Sequence, residues 1–236
     1  MSVYKEIYSR IRNQKRVVGF CGKKRSGKDT AADAIAALGY TPIAFADPIK
    51  DTCQTVFQFD NEQIYGSKKE EVDLFWEFSP RWAMQRIGTE LFRDGIDEDV
   101  WVKSLLARVD ASDHDRFAVT DVRFPNEVKH LQKAGADLVY IRRPEKEPEL
   151  DPKKKWVAKQ GGIIKKVASL FYDFGSEYHA SEISLDDHPV TDTADVINDG
   201  TIDQFRVAVR DRVQRLNQDG DFLPPDAPYR ASQVKT

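Results

Sequence analysis

Cysteine is scarce in this 236-residue sequence, which has only Cys21 and Cys53. Two thiols make no disulfide framework, and neither stands at a metal-ligand spacing. The four histidines, at 114, 130, 179 and 188, form no i, i+4 pair of the kind that holds zinc. A reduced, cytoplasmic protein without a structural metal is expected. Long apolar runs are also missing. No stretch approaches the roughly 18 residues that cross a bilayer. The N-terminal MSVYKEIYSRIRNQKR has neither an apolar signal core nor a cleavage site. No charge sign dominates, since 36 basic residues face 39 acidic ones for a formal net charge of −3. Lacking an overall basic field, the chain is not expected to bind duplex nucleic acid stably.

Hydrophobic residues make up 40% of the chain and charged residues 32%, the balance of an ordinary globular protein. Residues 1–15 read as a short charged helix outside the core. Arg16–Cys21 is an apolar run of the buried parallel-strand type. After a loop, Lys28–Leu38 reads as a helix with Ala31, Ala34, Ile35 and Leu38 on one face, ended by Gly39. Pro42–Ala46, Phe117–Asp121, Asp137–Ile141 and Ala194–Ile197 are the further strands. Helices are predicted at about 47–59, 80–93, 98–109, 125–134 and 202–216. Between Asn61 and Phe78 the sequence is charged and aromatic without a period. Strands alternating with helices predict an α/β fold, a parallel sheet covered by helices on both faces.

The segment Gly22-Lys23-Lys24-Arg25-Ser26-Gly27-Lys28-Asp29-Thr30 follows a buried strand and opens a helix. A phosphate-binding loop occupies that position, which makes the sheet one of the P-loop NTPase type. Its glycines let the backbone wrap closely around phosphate, and the helix N-terminus adds partial positive charge. Lys28 would reach the β- and γ-phosphates. Asp29 stands where the pattern has Ser or Thr, so the hydroxyl role passes to Thr30. Phe117–Asp121 has the form of a Walker B strand, with its acid at the end that faces the ligand crevice. On the helix from Pro80, Arg81, Gln85, Gly88 and Thr89 share one face, while Met84, Ile87 and Leu91 share another that should pack inward. By spacing alone the polar stripe is a solvated face, and Arg123 with Glu127 at i, i+4 is a surface ion pair.

Seven segments in order carry a resemblance. They are GKKRSGKDT (22–30), FADPIKD (45–51), RWAMQRIGTELFR (81–93), VWV (100–102), TDVRFPNE (120–127), IRRP (141–144) and HASE (179–182). Together they resemble the phage-type deoxynucleoside monophosphate kinases, over residues 16 to about 205. The first segment alone is less specific, because animal phosphomevalonate kinases carry a similar loop. The resemblance implies transfer of the γ-phosphoryl group of ATP to a deoxynucleoside monophosphate, with Mg²⁺. It implies that Gly22, Arg25, Ser26, Gly27, Lys28 and Thr30 bind ATP, that Asp29 lies beside the reacting groups, and that Asn198 belongs to a loop touching adenine. Arg81, Gly88 and Thr89 would hold the acceptor phosphate, with Gln85 and Trp101 near the nucleoside. Asp121, Arg123 and Glu127 would complete the site, Asp121 holding Mg²⁺ through water and Thr30 joining the metal shell.

The implied organisation is one kinase domain over 16–216. Its core spans 16–46, 113–143 and 190–216, with an acceptor-binding insertion at about 47–112 and a lid at about 144–182. Residues 217–236 would be a mobile tail or an arm. The partners would be small nucleotides, neither membrane nor nucleic acid, and a second copy in a homodimer. Two alternatives stay open: a P-loop kinase for another acceptor such as phosphomevalonate, and a non-kinase ATP-dependent switch.

Overall fold

The computed structural model describes residues 3–23, 25–144 and 196–218. The apolar run Arg16–Cys21 forms β1, and its side chains from Val17 to Cys21 are buried. Such a strand has no face to offer water, so it takes the centre of the sheet. β3 (Arg116–Val122) and β4 (Asp137–Arg142) flank it, while β2 (Thr41–Ile43) and β5 (Val196–Ile197) lie outside them. The order is β2-β3-β1-β4-β5, and every pairing is parallel. All five strands therefore deliver their carboxyl ends to the same edge, the ligand edge of such sheets.

Alternation along β1 feeds two cores. Val18 and Phe20 pack with Ala31, Ile35, Val139, Phe205 and Val209, against α2 (Lys28–Ala36) and α8 (Ile202–Gln218). Val17 and Cys21 pack with Val119, Val128 and Leu131 on the opposite face. That second face carries α3 (Asp47–Phe57), α6 (Val100–Ala111) and α7 (Pro125–Lys133).

α1 (Val3–Gln14) was expected outside the core and is instead part of it. Tyr4, Ile7, Tyr8 and Ile11 recur at i, i+3, i+4 and i+7, and Ile11 is only 1% exposed. Arg10 clamps the helix to Asp110 of α6, with Nε at 2.9 Å and Nη2 at 2.6 Å from the two carboxylate oxygens. At the other terminus α8 runs on to Gln218. Asn217 belongs to the fold, for its Oδ1 accepts from Arg16 Nε at 3.1 Å and from the Tyr40 hydroxyl at 2.9 Å. The lid from 145 onward, with Lys153–Lys155, Lys165 and Lys166, and the tail from 219 lie outside the described residues.

The unassigned segment 61–78 holds α4 (Asn61–Ile64), closed by a reciprocal capping box between Asp60 and Gln63, and a 3₁₀ turn at Ser67–Glu70. Phe57, Phe59, Trp76 and Phe78 pack ring against ring beneath it. α5 begins where Ser79 and Pro80 predict it, the Ser79 hydroxyl accepting from the Trp82 N–H. α5 spans Pro80–Gln85, and the chain continues as a π-helix over Arg86–Arg93. Bonding at i→i+5 widens the turn and rotates later side chains away from α-helical positions. Leu91, expected inward, is 59% exposed, while Arg93 is buried.

Candidate active site

The loop between β1 and α2 lies over the carboxyl edge of the sheet. Gly22 and Gly27 have φ of 140° and 109°, and Arg25 also adopts a positive φ of 63°. A Cβ at Gly22 would collide with the Ile141 carbonyl, and one at Gly27 would stand 2.7 Å from the Asn198 amide nitrogen. Only glycine allows the loop to settle between the ends of β4 and β5. Lys28 is buried with its Nζ turned back over the loop, donating to the carbonyls of Gly22 at 2.7 Å and Lys23 at 2.8 Å. The Ser26 hydroxyl is buried and has no hydrogen-bond partner among the described residues. Asp29 is exposed and Thr30 partly buried, on the first turn of α2. Asn198 follows β5, and its side-chain amide is committed to the loop, donating to the Ser26 carbonyl at 2.8 Å.

Next to β1, β3 carries Asp121 to the same edge, where Cys21 pairs with Val122 after a one-residue shift of register. Its two carboxylate oxygens accept from the N–H of Phe45 at 2.8 Å and of Ala46 at 3.0 Å. The acid expected to face an open crevice thus also anchors the turn between β2 and α3. This turn takes the place of the last residues of the strand expected at 42–46. Burial pushes the Asp121 carboxyl up, and the Arg123 charge and the two N–H donors pull it down.

Glu127 does not form the surface pair with Arg123 that its spacing suggests. It is 2% exposed and pairs with Arg93, whose Nη2 lies 2.8 Å from Oε1. Its other oxygen caps α7, accepting from the N–H of Arg123 at 2.8 Å and of Phe124 at 3.0 Å. Burial raises its carboxyl to about 7, opposed by Arg93 and the capping N–H groups. The nearby Asp121 charge adds to that rise, while the groups bonded to the Glu127 oxygens are all donors.

On α5 and the π-helix, Arg81, Gln85 and Thr89 are all partly buried, and Trp82 and Arg86 face outward. The Gln85 side-chain nitrogen is buried and has no partner among the described residues. Gly88 lets α3 approach, since a Cβ there would stand 2.9 Å from Ile49 Cδ1. Trp101 is 5% exposed within the core, its indole N–H donating to the Gly88 carbonyl at 2.6 Å and its ring centroid 5.1 Å from that of Phe92. The ring is enclosed, not displayed for stacking.

Arg81 reaches Glu70 on the 3₁₀ turn, Nε to Oε1 at 3.1 Å. The neighbouring Lys69 is a cation that no motif in the sequence singles out. Its ammonium is pushed down to about 8, first by burial and then by the charges of Arg81, Lys50 and Arg123. Arg81 on α5, Lys50 on α3 and Arg123 on the β3–α7 loop thus lie near enough to act on Lys69, with Glu70 opposing them and Lys50 also 3.8 Å from Asp47. Lys68-Lys69 in the sequence is only a charged pair within an aperiodic segment, and nothing local marks one of them as inward.

The family model for deoxynucleotide monophosphate kinases matches residues 60–166. A putative deoxynucleotide monophosphate kinase of Acanthamoeba polyphaga mimivirus is 33% identical over 146 residues, 54% of this chain and 74% of that protein. The deoxynucleoside-5'-monophosphate kinase of Escherichia phage T5 is 36% identical over 74 residues, 31% of this chain and 30% of that protein. Among solved structures, a dephospho-CoA kinase from Campylobacter jejuni has a TM-score of 0.41 at 16% identity, covering 86% of this chain and 98% of its own. A gluconokinase from Sinorhizobium meliloti 1021 has a TM-score of 0.42 at 13% identity, covering 87% and 95%.

Proposed function

Because the chain belongs to the deoxynucleotide monophosphate kinase family, we infer that it transfers the γ-phosphoryl group of ATP to a deoxynucleoside 5'-monophosphate, releasing ADP and the deoxynucleoside diphosphate. The observation that supports this most is the convergence of Lys50, Lys69, Arg81 and Arg123 beside the sheet edge that carries the phosphate loop. A donor loop alone would serve any ATPase. A second cationic site suits an acceptor that is itself a phosphate dianion. A polyphosphate and a dianion repel each other, so phosphoryl transfer between them needs neutralisation and in-line placement more than covalent chemistry.

The residues divide accordingly. Gly22, Ser26 and Gly27 wrap the donor phosphates, the Ser26 hydroxyl, without a partner among the described residues, offering one bond and the first N–H groups of α2 others. Lys28 exchanges its two loop carbonyls for phosphate oxygens, its ammonium already desolvated and in place. Arg25, exposed on the loop, and Asp29, exposed on the first turn of α2, border the transfer path. Lys69, Arg81 and Arg123 hold the acceptor phosphate, and Gln85 and Thr89 line the same wall. Residues 47–112 then form the acceptor-binding part of the molecule. An acceptor phosphate oxygen forms the new bond to the γ-phosphorus while the bond to the ADP oxygen breaks. A phosphate dianion requires no base.

The fold implies Mg²⁺ on the phosphates, and the donors present fit it. Thr30 and Asp121 are oxygen ligands, and a hard cation that keeps several waters needs few protein groups. Asp121, with both oxygens engaged by N–H groups, would act through water, and Thr30 directly. Held by Thr30 and, through water, by Asp121, the ion would neutralise charge on the transferred phosphoryl group.

ADP release measured across a panel of acceptors tests the reading. Release that depends on deoxynucleoside monophosphates is expected. Release that depends on phosphomevalonate, or that proceeds without an acceptor, would overturn it.

A further inference from the structure

We propose that Arg93 is a positioning residue for phosphoryl transfer, locking the loop that carries Arg123 to the helix that carries Arg81, Gln85 and Thr89. The proposal rests on the kinase reading above and gives a role to the last residue of the 81–93 segment, to which the resemblance assigned none.

Arg93 closes the π-helix, and its side chain is 8% exposed. One end of its guanidinium, Nη2, meets Glu127 Oε1 at 2.8 Å. The other, Nη1, donates to the Glu98 carbonyl at 3.2 Å and to Asn126 Oδ1 at 3.3 Å. The plane lies 3.8 Å from the centre of the Phe124 ring. Every partner except Glu98 sits on the first turn of α7 or the residue before it. Glu127 continues the link, because its second oxygen holds the backbone N–H groups of Arg123 and Phe124. A continuous chain of charge-assisted bonds therefore runs from the acceptor wall, through Arg93 and Glu127, to the main chain of Arg123.

The π winding makes this contact. Asp94 N–H bonds to the Thr89 carbonyl at 2.9 Å, an i→i+5 step. The widened turn exposes Leu91 and buries Arg93. π-helical turns are rare and concentrate at functional sites. A buried ion pair adds little stability over well-packed apolar residues, so stability alone does not account for bending a helix to build one. Alignment does: Arg81 on one element and Arg123 on another must grip the same phosphate, and a small misplacement is costly in rate.

The test compares Arg93→Lys, Glu127→Gln and the double variant in the full chain, through kcat, KM for each substrate and melting temperature. Lysine keeps the charge but cannot reproduce the planar fork. Both single variants are expected to lose about tenfold to a hundredfold in kcat with KM for ATP nearly unchanged. The double variant should lose no more than either single one, since both break one link. Arg93→Met serves as the severe case, and if it fails to fold the two near-isosteric variants still decide. Variants that melt earlier yet turn over at the normal rate below their melting point overturn the proposal, as do losses that simply add. An unaltered chain inactive on every deoxynucleoside monophosphate would remove the kinase reading and this proposal together. An active chain with an unaffected Arg93→Lys variant removes the proposal alone.

Discussion

The side-chain amide of Asn198 donates to the main-chain carbonyl of Ser26 at 2.8 Å, tying the phosphate loop to the residue that follows the last strand. The same nitrogen occupies the space where a Cβ on Gly27 would stand. Asn198 therefore braces the loop between β1 and α2.

Asn198→Ala removes one hydrogen bond, about 1 kcal/mol net, and should raise KM for ATP about fivefold. The loss should be equal for ATP and GTP and absent from KM for the acceptor. Steady-state kinetics with both donors measures this. A loss confined to ATP would mean that Asn198 reads the adenine, as the resemblance implies.

Lys69 supplies a pH signature. Its folded-state pKa is lowered to about 8, so the ammonium is lost as pH rises through that value, and with it part of the attraction for the acceptor phosphate. kcat/KM for the acceptor, which reports the free enzyme, should fall above pH 8, with ATP little affected. Lys69→Met should start lower and show no such limb. The same shift implies that folded stability rises between about 8 and the ordinary lysine value, where the unfolded chain binds more protons. A variant with an unchanged acceptor profile would place Lys69 outside the site.

His130 gives a stability test that is independent of catalysis. Its hydroxyl partner Tyr8 lies at Nδ1, and Asp99 is 3.3 Å from Nε2. Burial lowers its pKa more than Asp99 raises it. Protonation then favours the unfolded chain, so stability should decline as pH falls below the ordinary histidine value of about 6.5. His130→Gln should flatten that acid decline in melting temperature. Parallel curves for the two proteins would count against the burial of a neutral imidazole.

Trp101→Phe separates a core role from contact with the nucleoside. It removes the indole donor to the Gly88 carbonyl, which keeps its place in the π-helix, at a net cost of about 1 kcal/mol. The melting temperature should fall while preference for deoxy- over ribonucleotides is kept. A change in that preference with little change in melting temperature would put the ring at the acceptor.

What could be read from the chain was whatever is encoded between neighbours in sequence. The phosphate loop is a contiguous run whose glycines, lysine and helix start all act on one another locally. Ser79 and Pro80 mark a helix start because both effects occur within one turn, and the run at Arg16–Cys21 marks a central strand because every residue avoids water.

The contacts that the sequence did not reveal depended on partners far along the chain. Glu127 stands four residues from Arg123 and is taken by Arg93 instead, 34 residues away. Lys69 has no periodic neighbours to show which way it faces, and comes under the charges of Arg81, Lys50 and Arg123 only when folding brings them from other elements. Asp121 spends its oxygens on Phe45 and Ala46, a turn that no spacing along the chain connects to it. Sequence spacing determined the elements and the donor loop, because backbone geometry and apolar period are short-range. Tertiary packing alone decided which buried charges pair, because a desolvated charge takes the partner that folding brings within hydrogen-bond reach, wherever it lies in the sequence.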